Sequence, residues 1–286
     1  MTRFIAEPVI TAPWNASSVG PRRNLLWRVH LFSEFREIRQ AFGGTINDIA
    51  LAVVCEAAAR YLKVHNENVE GRNLRLMCPV NVRRADETGS LGNRVSAIFP
   101  ILAASPMEMT DRLKRVRWET EHIKQNRDAQ AMELMMETVP QVPPFAMAQT
   151  LLVGTRFDPT ALAARMPLPV LPQFLPRPPL MGFNFTCINV PGAQTAQYLC
   201  GHEVTDTIGV LMLGGTLGYG VAVGSYNQKI YFNFVCDPRL LPDLDVMANS
   251  ADDAFTELLA SARSEMQAQS KSKSKSKTKT RSTDVS

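Results

Sequence analysis

Ile46, Ile49, Ala50, Val53, Val54, Ala57, Ala58, Tyr61 and Leu62 follow one another at spacings of three, four and one, which places them all on one face of a helix with 3.6 residues per turn. A stripe this long, built mostly of alanine, valine and isoleucine, has to lie against a core. The start of the helix is marked as well. Gly43 and Gly44 break the chain, Thr45 occupies the N-cap position, and Asp48 follows three residues later as the acidic member of a capping box. Asn47 and Asp48 therefore fall in the first turn. A carboxylate there stabilises the positive end of a helix by about 0.3–1 kcal/mol, so capping accounts for Asp48 without any further role; a functional role for the Asn47–Asp48 pair stands beside that reading.

Around this helix the pattern alternates between strand and helix. Leu25–Phe32 is rich in apolar and aromatic residues and is expected to be a first strand, with Phe35–Phe42 as a short helix after it. Leu74–Val82 and Arg94–Leu102 are the next strands, separated by the polar turn Arg83–Asn93, where Arg83 and Arg84 sit with Asp86 and Glu87 as in a solvated loop. Ser105-Pro106-Met107-Glu108 has the form of a helix start, and Met109, Leu113, Val116, Thr120 and Ile123 hold one face beyond it, with His122 at the boundary. Met181–Val190 reads as a strand stopped by Pro191-Gly192, Tyr219–Tyr226 and Lys229–Cys236 as a hairpin about Asn227-Gln228, and Pro242 as the opening of a last helix. The fold class expected is α/β in the α+β sense, a mixed β-sheet with helices packed on it.

Residues 1–24 contain Pro8, Pro13, Gly20 and Pro21 and read as a linker, and residues 25–262 as one folded lobe. Within the lobe, residues 139–179 hold ten of the chain's nineteen prolines, a density that forbids a long helix or a central strand. That stretch is an apolar crossover, either packed on the lobe or bordering a greasy tunnel or a membrane. Residues 263–286 end in Ser/Lys alternation and are expected to be a disordered basic tail. The formal charge of +4 resides there: residues 270–286 carry five Lys and one Arg against one Asp, so the remainder is close to neutral and shows no nucleic-acid-binding face. Cys55, Cys78, Cys187, Cys200 and Cys236 are widely spaced in apolar runs and read as reduced core thiols. No metal-ligand spacing, phosphate-binding glycine loop or Ser-His-Asp order is visible, no run approaches ~18 apolar residues, and a cytoplasmic location is expected from the start of the sequence.

Thr45-Ile46-Asn47-Asp48 resembles the Asn-Asp motif of the wax ester synthase/diacylglycerol acyltransferase family. Other motifs follow in that family's order: Pro79-Val80-Asn81-Val82-Arg83, Leu91-Gly92-Asn93, Asn189-Val190-Pro191-Gly192, Gly201, Ser225-Tyr226 and Pro242-Asp243. The resemblance covers about residues 13 to 262. It implies the second lobe of a two-lobed, chloramphenicol-acetyltransferase-like fold, preceded by the end of the connection between lobes. It further implies transfer of a fatty acyl group from acyl-CoA, a substrate and not a resident cofactor, to diacylglycerol or a long-chain alcohol.

The family's general base is the second His of HHxxxDG, a motif this sequence does not contain, so no catalytic residue is expected in this chain. Asn47 and Asp48 are implied to shape the site from the second lobe, while Asn189, Val190, Pro191 and Gly192 line the substrate channel; Ala193 stands where the family has proline. His202 and Asp206 fit the looser HxxxD pattern of related acyltransferases but follow the Asn-Val-Pro-Gly turn, and His202 is expected to be a strand residue. The partners implied are an N-terminal acyltransferase lobe in trans and, through the tail, an anionic membrane or lipid droplet. The alternatives are a non-catalytic lobe that binds lipid or docks a partner, and a truncated or mis-started gene product.

Overall fold

The computed structural model describes residues 9–15, 18–81, 95–125 and 182–281. The turn 83–93, with Leu91-Gly92-Asn93, and the proline-dense stretch 139–179 lie outside them. In chain order the elements are β1 (Asn24–Leu31), α1 (Phe32–Phe42), α2 (Ile46–Val64), β2 (Asn73–Asn81), β3 (Val95–Ile98), β4 (Ile101–Ala103), α3 (Met109–Gln125), β5 (Phe185–Val190), β6 (Tyr198–Leu199), β7 (His202–Glu203), β8 (Tyr219–Tyr226), β9 (Lys229–Cys236) and α4 (Leu244–Arg281).

Seven strands form one mixed sheet in the order β1-β9-β8-β5-β2-β3, with β4 pairing β2 as well, while β6 and β7 form a separate small hairpin. β2, β5 and β8 run parallel and the other pairs antiparallel. The carboxyl ends of the three parallel strands therefore lie at one edge. Alternation decides which face is covered: Leu74, Leu76, Phe185, Cys187, Val221, Val223, Phe232 and Phe234 share a face and join the helices in one core. On the opposite face Trp27, Val29 and Leu31 of β1 stay exposed, while β8 and β9 are covered by the extended segment 206–213. There Leu211 packs over Gly220, Gly209 over Ala222, and Asp206 accepts a hydrogen bond from Tyr231 at 2.9 Å.

The helix predicted from the stripe is present, and Thr45 caps it as expected, its hydroxyl accepting from Asp48 N. Burial goes beyond the stripe. Leu51, Ala52, Cys55 and Ala59 are buried too, because α1, α3 and α4 all pack around α2. Glu56 is also sealed in. Its carboxylate meets Arg112 of α3, with neither side chain exposed, and accepts from Arg112 Nε at 2.9 Å, from Met107 N at 3.2 Å and from Arg60 Nε at 3.1 Å. Arg112 also donates to the carbonyls of Ala103 and Ser105, each at 2.7 Å, so every charge in the cluster has partners.

Four expectations are corrected here. The 1–24 stretch is not merely a linker: Val9 bridges Asn73, Pro13–Asn15 form a 3-10 turn, and Trp14 is wholly buried against Tyr61, Phe185 and Tyr219. Asn184 holds it there, its Nδ2 donating to Ile10 O at 2.7 Å while its carbonyl accepts from Trp14 Nε1 and Asn15 Nδ2. The tail expected to be disordered from residue 263 continues α4 to Arg281, since nothing between Leu244 and Arg281 is proline or glycine and the packed first half supplies the helix nucleus. Cys200 is exposed rather than a core thiol, while the other four cysteines are buried. Finally, α3 begins at Met109 and not at Ser105. Ser105 Oγ is drawn to Val69 O and Met107 N to Glu56, so the cap passes to Glu108, whose carboxylate accepts from Thr110 N at 2.9 Å and Asp111 N at 3.2 Å.

Asp237, at the end of β9, ties the N-terminal segment to the sheet. Its inaccessible carboxylate accepts from Gly20 N at 2.6 Å, Arg239 N at 2.9 Å and the Arg239 guanidinium at 2.7 Å. The Arg239 hydrogen bond, with help from those amides, holds its carboxyl well below the usual carboxylate range. A carboxyl depressed in the folded state stabilises fully above its unfolded pKa of about 3.9 and loses that contribution as pH falls toward the folded value. Asp237→Asn should therefore cost about 1–3 kcal/mol at pH 7, and the gap from wild type should narrow between pH 4 and pH 2 in urea melts.

Candidate functional site

The first turn of α2 meets the carboxyl ends of β2, β5 and β8 at one edge of the sheet, where open α/β sheets place their ligands. A cavity of about 410 Å³ opens there, lined by Ile46 and Asn47 of α2, Cys78 and Pro79 of β2, Cys187 and Asn189 of β5, Val223 to Ser225 of β8, and by Phe32, Ile98, Pro191 and Ile230. Asn189 Nδ2 donates to Asn47 Oδ1 at 3.2 Å, joining residues 142 positions apart at the mouth. That bond leaves the carbonyl of Asn189 and the amide NH2 of Asn47 as the polar groups the pair offers a ligand.

The loop after β5 is held rigidly beside them. Ser225 Oγ accepts from Gly192 N at 3.1 Å and from Gln194 Nε2 at 2.8 Å, and Gln194 Nε2 also donates to Gly192 O. A Cβ on Gly192 would come within 2.2 Å of Ser225 O, so this close crossing of two backbones requires glycine.

Of the residues singled out from sequence, Asn47, Asn189 and Pro191 line the cavity, with Gly192 just behind them on Ser225. Val190 points away and is exposed. Asp48 is buried and faces elsewhere: one carboxylate oxygen accepts from Thr45 N and Thr45 Oγ1, both at 2.8 Å, and the other from Thr120 Oγ1 at 2.9 Å. Its place is behind Asn47, fixing the turn that presents the amide. Pro242-Asp243 lies at the other end of α2, about 25 Å away along the helix axis, where Asp243 binds Tyr61 and His65. His202 sits in β7, and Asp206 is engaged by Tyr231 and Lys229 instead of by that histidine.

The chemistry of the lining is distinctive for what it omits. Among the described residues Cys78 and Cys187 are its titratable members; burial pushes both thiols up, Cys187 to about 12, so they stay protonated and unreactive at neutral pH. Among the described residues no histidine, carboxylate or lysine faces the cavity, and no group of three or more His, Cys, Asp or Glu is placed to hold a metal. The cavity can seat an apolar chain and hydrogen-bond a carbonyl or hydroxyl through its two amides.

Sequence reasoning gave Asn47 and Asn189 separate places, and the bond between them is new. Ser225 was noted only within a Ser-Tyr pair and Val223 and Ile230 only for the period-two alternation of their hairpin, while nothing local marks Phe32, Cys78 and Ile98 as lining a site.

The WS/DGAT C-terminal domain family matches residues 91–259 of the chain. Among curated proteins, a probable diacylglycerol O-acyltransferase (tgs1) of Mycobacterium tuberculosis is 26% identical over 261 residues, covering 89% of this chain and 51% of that protein. A second putative diacylglycerol O-acyltransferase of that species is 25% identical over 243 residues, covering 85% of this chain and 45% of the relative. The chain thus spans about half the length of the curated relatives it matches. Among solved structures, the wax ester synthase/diacylglycerol acyltransferase from Marinobacter aquaeolei VT8 superposes with a TM-score of 0.61 at 20% identity, covering 87% of this chain and 51% of that one. The epimerization domain from the third module of tyrocidine synthetase B superposes at 0.51 with 11% identity, covering 91% and 53%. These likenesses establish the fold as one half of that architecture.

Proposed function

Because the chain belongs to the WS/DGAT C-terminal domain family, we propose that it forms the carboxyl-terminal portion of an acyltransferase that moves a fatty acyl group from acyl-CoA to diacylglycerol or a long-chain alcohol. The observation that carries this reading is the Asn47–Asn189 amide pair at the mouth of an apolar cavity, formed by two of the family-like motifs. Acyl transfer needs a base for the acceptor hydroxyl and donors for the developing oxyanion. This chain offers the amides and the apolar seat; the base belongs to an HHxxxDG segment, which in this reading faces the cavity from an amino-terminal lobe.

The test mixes or fuses the purified chain with the amino-terminal half of a family relative carrying HHxxxDG and follows labelled palmitoyl-CoA into triacylglycerol and wax ester. Transfer should appear with both parts present and be at least 10²–10⁴-fold lower with this chain alone. Equal turnover by the chain alone would overturn the division of roles and make His202 the first residue to mutate. A described lining whose titratable groups are two protonated thiols favours one second reading, a lobe that binds lipid without transferring it. That reading expects acyl-CoA or lipid binding with no product in either assay.

Among the described residues no single helix is long and apolar enough to cross a membrane. Access to lipid acceptors is assigned to the basic end of α4, whose six Lys and Arg within residues 270–286 should contribute about 1 kcal/mol each near an anionic leaflet. Deleting residues 270–286 should weaken binding to phosphatidylserine vesicles, most strongly at low salt, and leave the melting temperature unchanged. Undiminished binding would remove the tail from this role.

A further inference from the structure

The hydrogen bonds around Ser225 leave one donor at the cavity mouth unused. Ser225 Oγ accepts from Gly192 N at 3.1 Å and from Gln194 Nε2 at 2.8 Å. The backbone fixes the direction of both bonds, because Gly192 N can only donate and Gly192 O, 2.9 Å from the same Gln194 nitrogen, can only accept. A hydroxyl oxygen has two lone pairs, and both are taken. Its proton is not: among the described residues no acceptor meets it.

Alternation along β8 decides where that proton can go. Val221 and Val223 lie in the core under the helices, so Ser225 carries its side chain on the same face, where it lines the cavity with its ladder partner Ile230. On the neighbouring parallel strand Asn189 stands beside Val223, which sets Asn189 and Ser225 on one face, about 7 Å apart along the strands. A spacing of that order lets one ligand oxygen lie between the Ser225 hydroxyl and the Asn47 amide that Asn189 orients, at about 2.7–3.1 Å from each donor. The hydroxyl is also held in place. Its two accepted bonds, and the crossing that brings Ser225 O against Gly192, leave the side chain little freedom to turn.

We propose that Ser225 is a catalytic residue whose hydroxyl donates, together with Asn47 Nδ2, to the carbonyl oxygen of the group being transferred. The proposal rests on the acyltransferase reading above and adds a second donor to the amide. As the acceptor's oxygen attacks the thioester carbon, the C=O π pair moves onto the carbonyl oxygen, where the two donors meet the new charge. Collapse of this adduct re-forms C=O and breaks C–S. The ester keeps the acceptor's oxygen, and CoA leaves as a thiol with the proton that the acceptor hydroxyl lost through the base of the amino-terminal lobe. Ser225 keeps its own proton throughout. A serine that only stapled the Gly192 loop would need to accept and nothing more, so the two roles predict different variants.

The test has two readouts. The first does not depend on transfer: the infrared carbonyl band of isotope-labelled methyl tridecyl ketone bound to the full 286-residue chain. In wild type the band should lie below its position in hexane, and Ser225→Ala should move it part of the way back. Ser225→Thr, which keeps the hydroxyl, should hold the wild-type band. Gln194→Leu cuts one staple and leaves the hydroxyl, so it should shift the melting temperature in the same direction as Ser225→Ala without releasing the band. The second readout is the two-part assay, where Ser225→Ala should lower kcat about 10²–10³-fold at nearly constant KM, and Ser225→Thr should restore most of the loss. A ketone that does not bind, a band indifferent to Ser225→Ala, an equal release of the band by Gln194→Leu, or a kcat loss that Ser225→Thr does not rescue would each overturn the role. The two failures separate: a Ser225-dependent band without transfer removes the acyltransferase reading and leaves Ser225 as a donor to bound carbonyls, whereas transfer with wild-type kcat in Ser225→Ala removes this role alone.

Discussion

Replacing Glu56 by alanine is expected to destabilise the chain by about 3–5 kcal/mol, because it strands the Arg112 guanidinium in the core with no counter-charge. A loss of that size is a large part of the 5–15 kcal/mol that holds an ordinary domain together. The hydrogen bonds explain the severity: the carboxylate serves Arg112, Arg60 and the amide of Met107 together, so one truncation unties α2, α3 and the turn before α3. Removing both charges should be far milder. Glu56→Leu combined with Arg112→Met keeps the volume and leaves no buried ion, and should fall within about 1–2 kcal/mol of wild type. Glu257→Ala, which only releases the solvent-side arm of Arg60, should cost less than about 1 kcal/mol. Urea midpoints for the three variants decide the matter; a Glu56→Ala protein as stable as Glu257→Ala would show that the cluster is not the brace described.

In the two-part assay of the proposed function, Asn47→Ala is expected to lower kcat by about 10²-fold, the usual cost of losing one preorganised donor or misplacing a substrate by an ångström. Asn189→Ala should produce most of the same loss, since the hydrogen bond its Nδ2 donates to Asn47 Oδ1 fixes which way the Asn47 NH2 points. The double variant should then be little worse than either single one, a coupling that independent contacts would not show. Stability should shift by less than about 1 kcal/mol in all three, the bond being exposed. Asp48→Asn provides the contrast: with both oxygens engaged by Thr45 and Thr120, its loss of activity should come with a measurable loss of stability. Additive losses from Asn47 and Asn189 would dissolve the pair into two unrelated contacts.

Features written in local spacing were legible from sequence, and features created by distant encounters were not. The β8–β9 hairpin could be read because period-two alternation flanks Asn227-Gln228, and both of those residues adopt the positive φ that a two-residue turn demands. Thr45 and Asp48 were readable for the same reason. By contrast, Glu56 and Arg112 look like ordinary solvent-facing charges on two helices, and only their meeting 56 residues apart makes burial tolerable. Trp14 stands among prolines with no periodicity, and its burial depends on Asn184, 170 residues away. The strand expected over 94–102 is two strands because Pro100 cannot donate to a ladder, although both halves still pair with β2. At the site, motif order pointed to both Asn47 and Asn189, while their contact required the fold.

The position of β1 has a consequence for biosynthesis. Among the described strands it comes first in sequence and forms an edge of the sheet, yet its partner β9 comes last: Asn24 pairs with Cys236 and Leu31 with Lys229. A ribosome adding about 5–20 residues per second needs on the order of 10–40 s to cover that interval. Throughout it, β1 has no partner strand, and before β8 only β2 to β5 of the described sheet have been made. The chain can therefore join β1 to the rest of its sheet only after β8 and β9 leave the exit tunnel. Its nascent form should depend on holdase chaperones, and translational pauses placed before residue 219 should favour aggregation over folding.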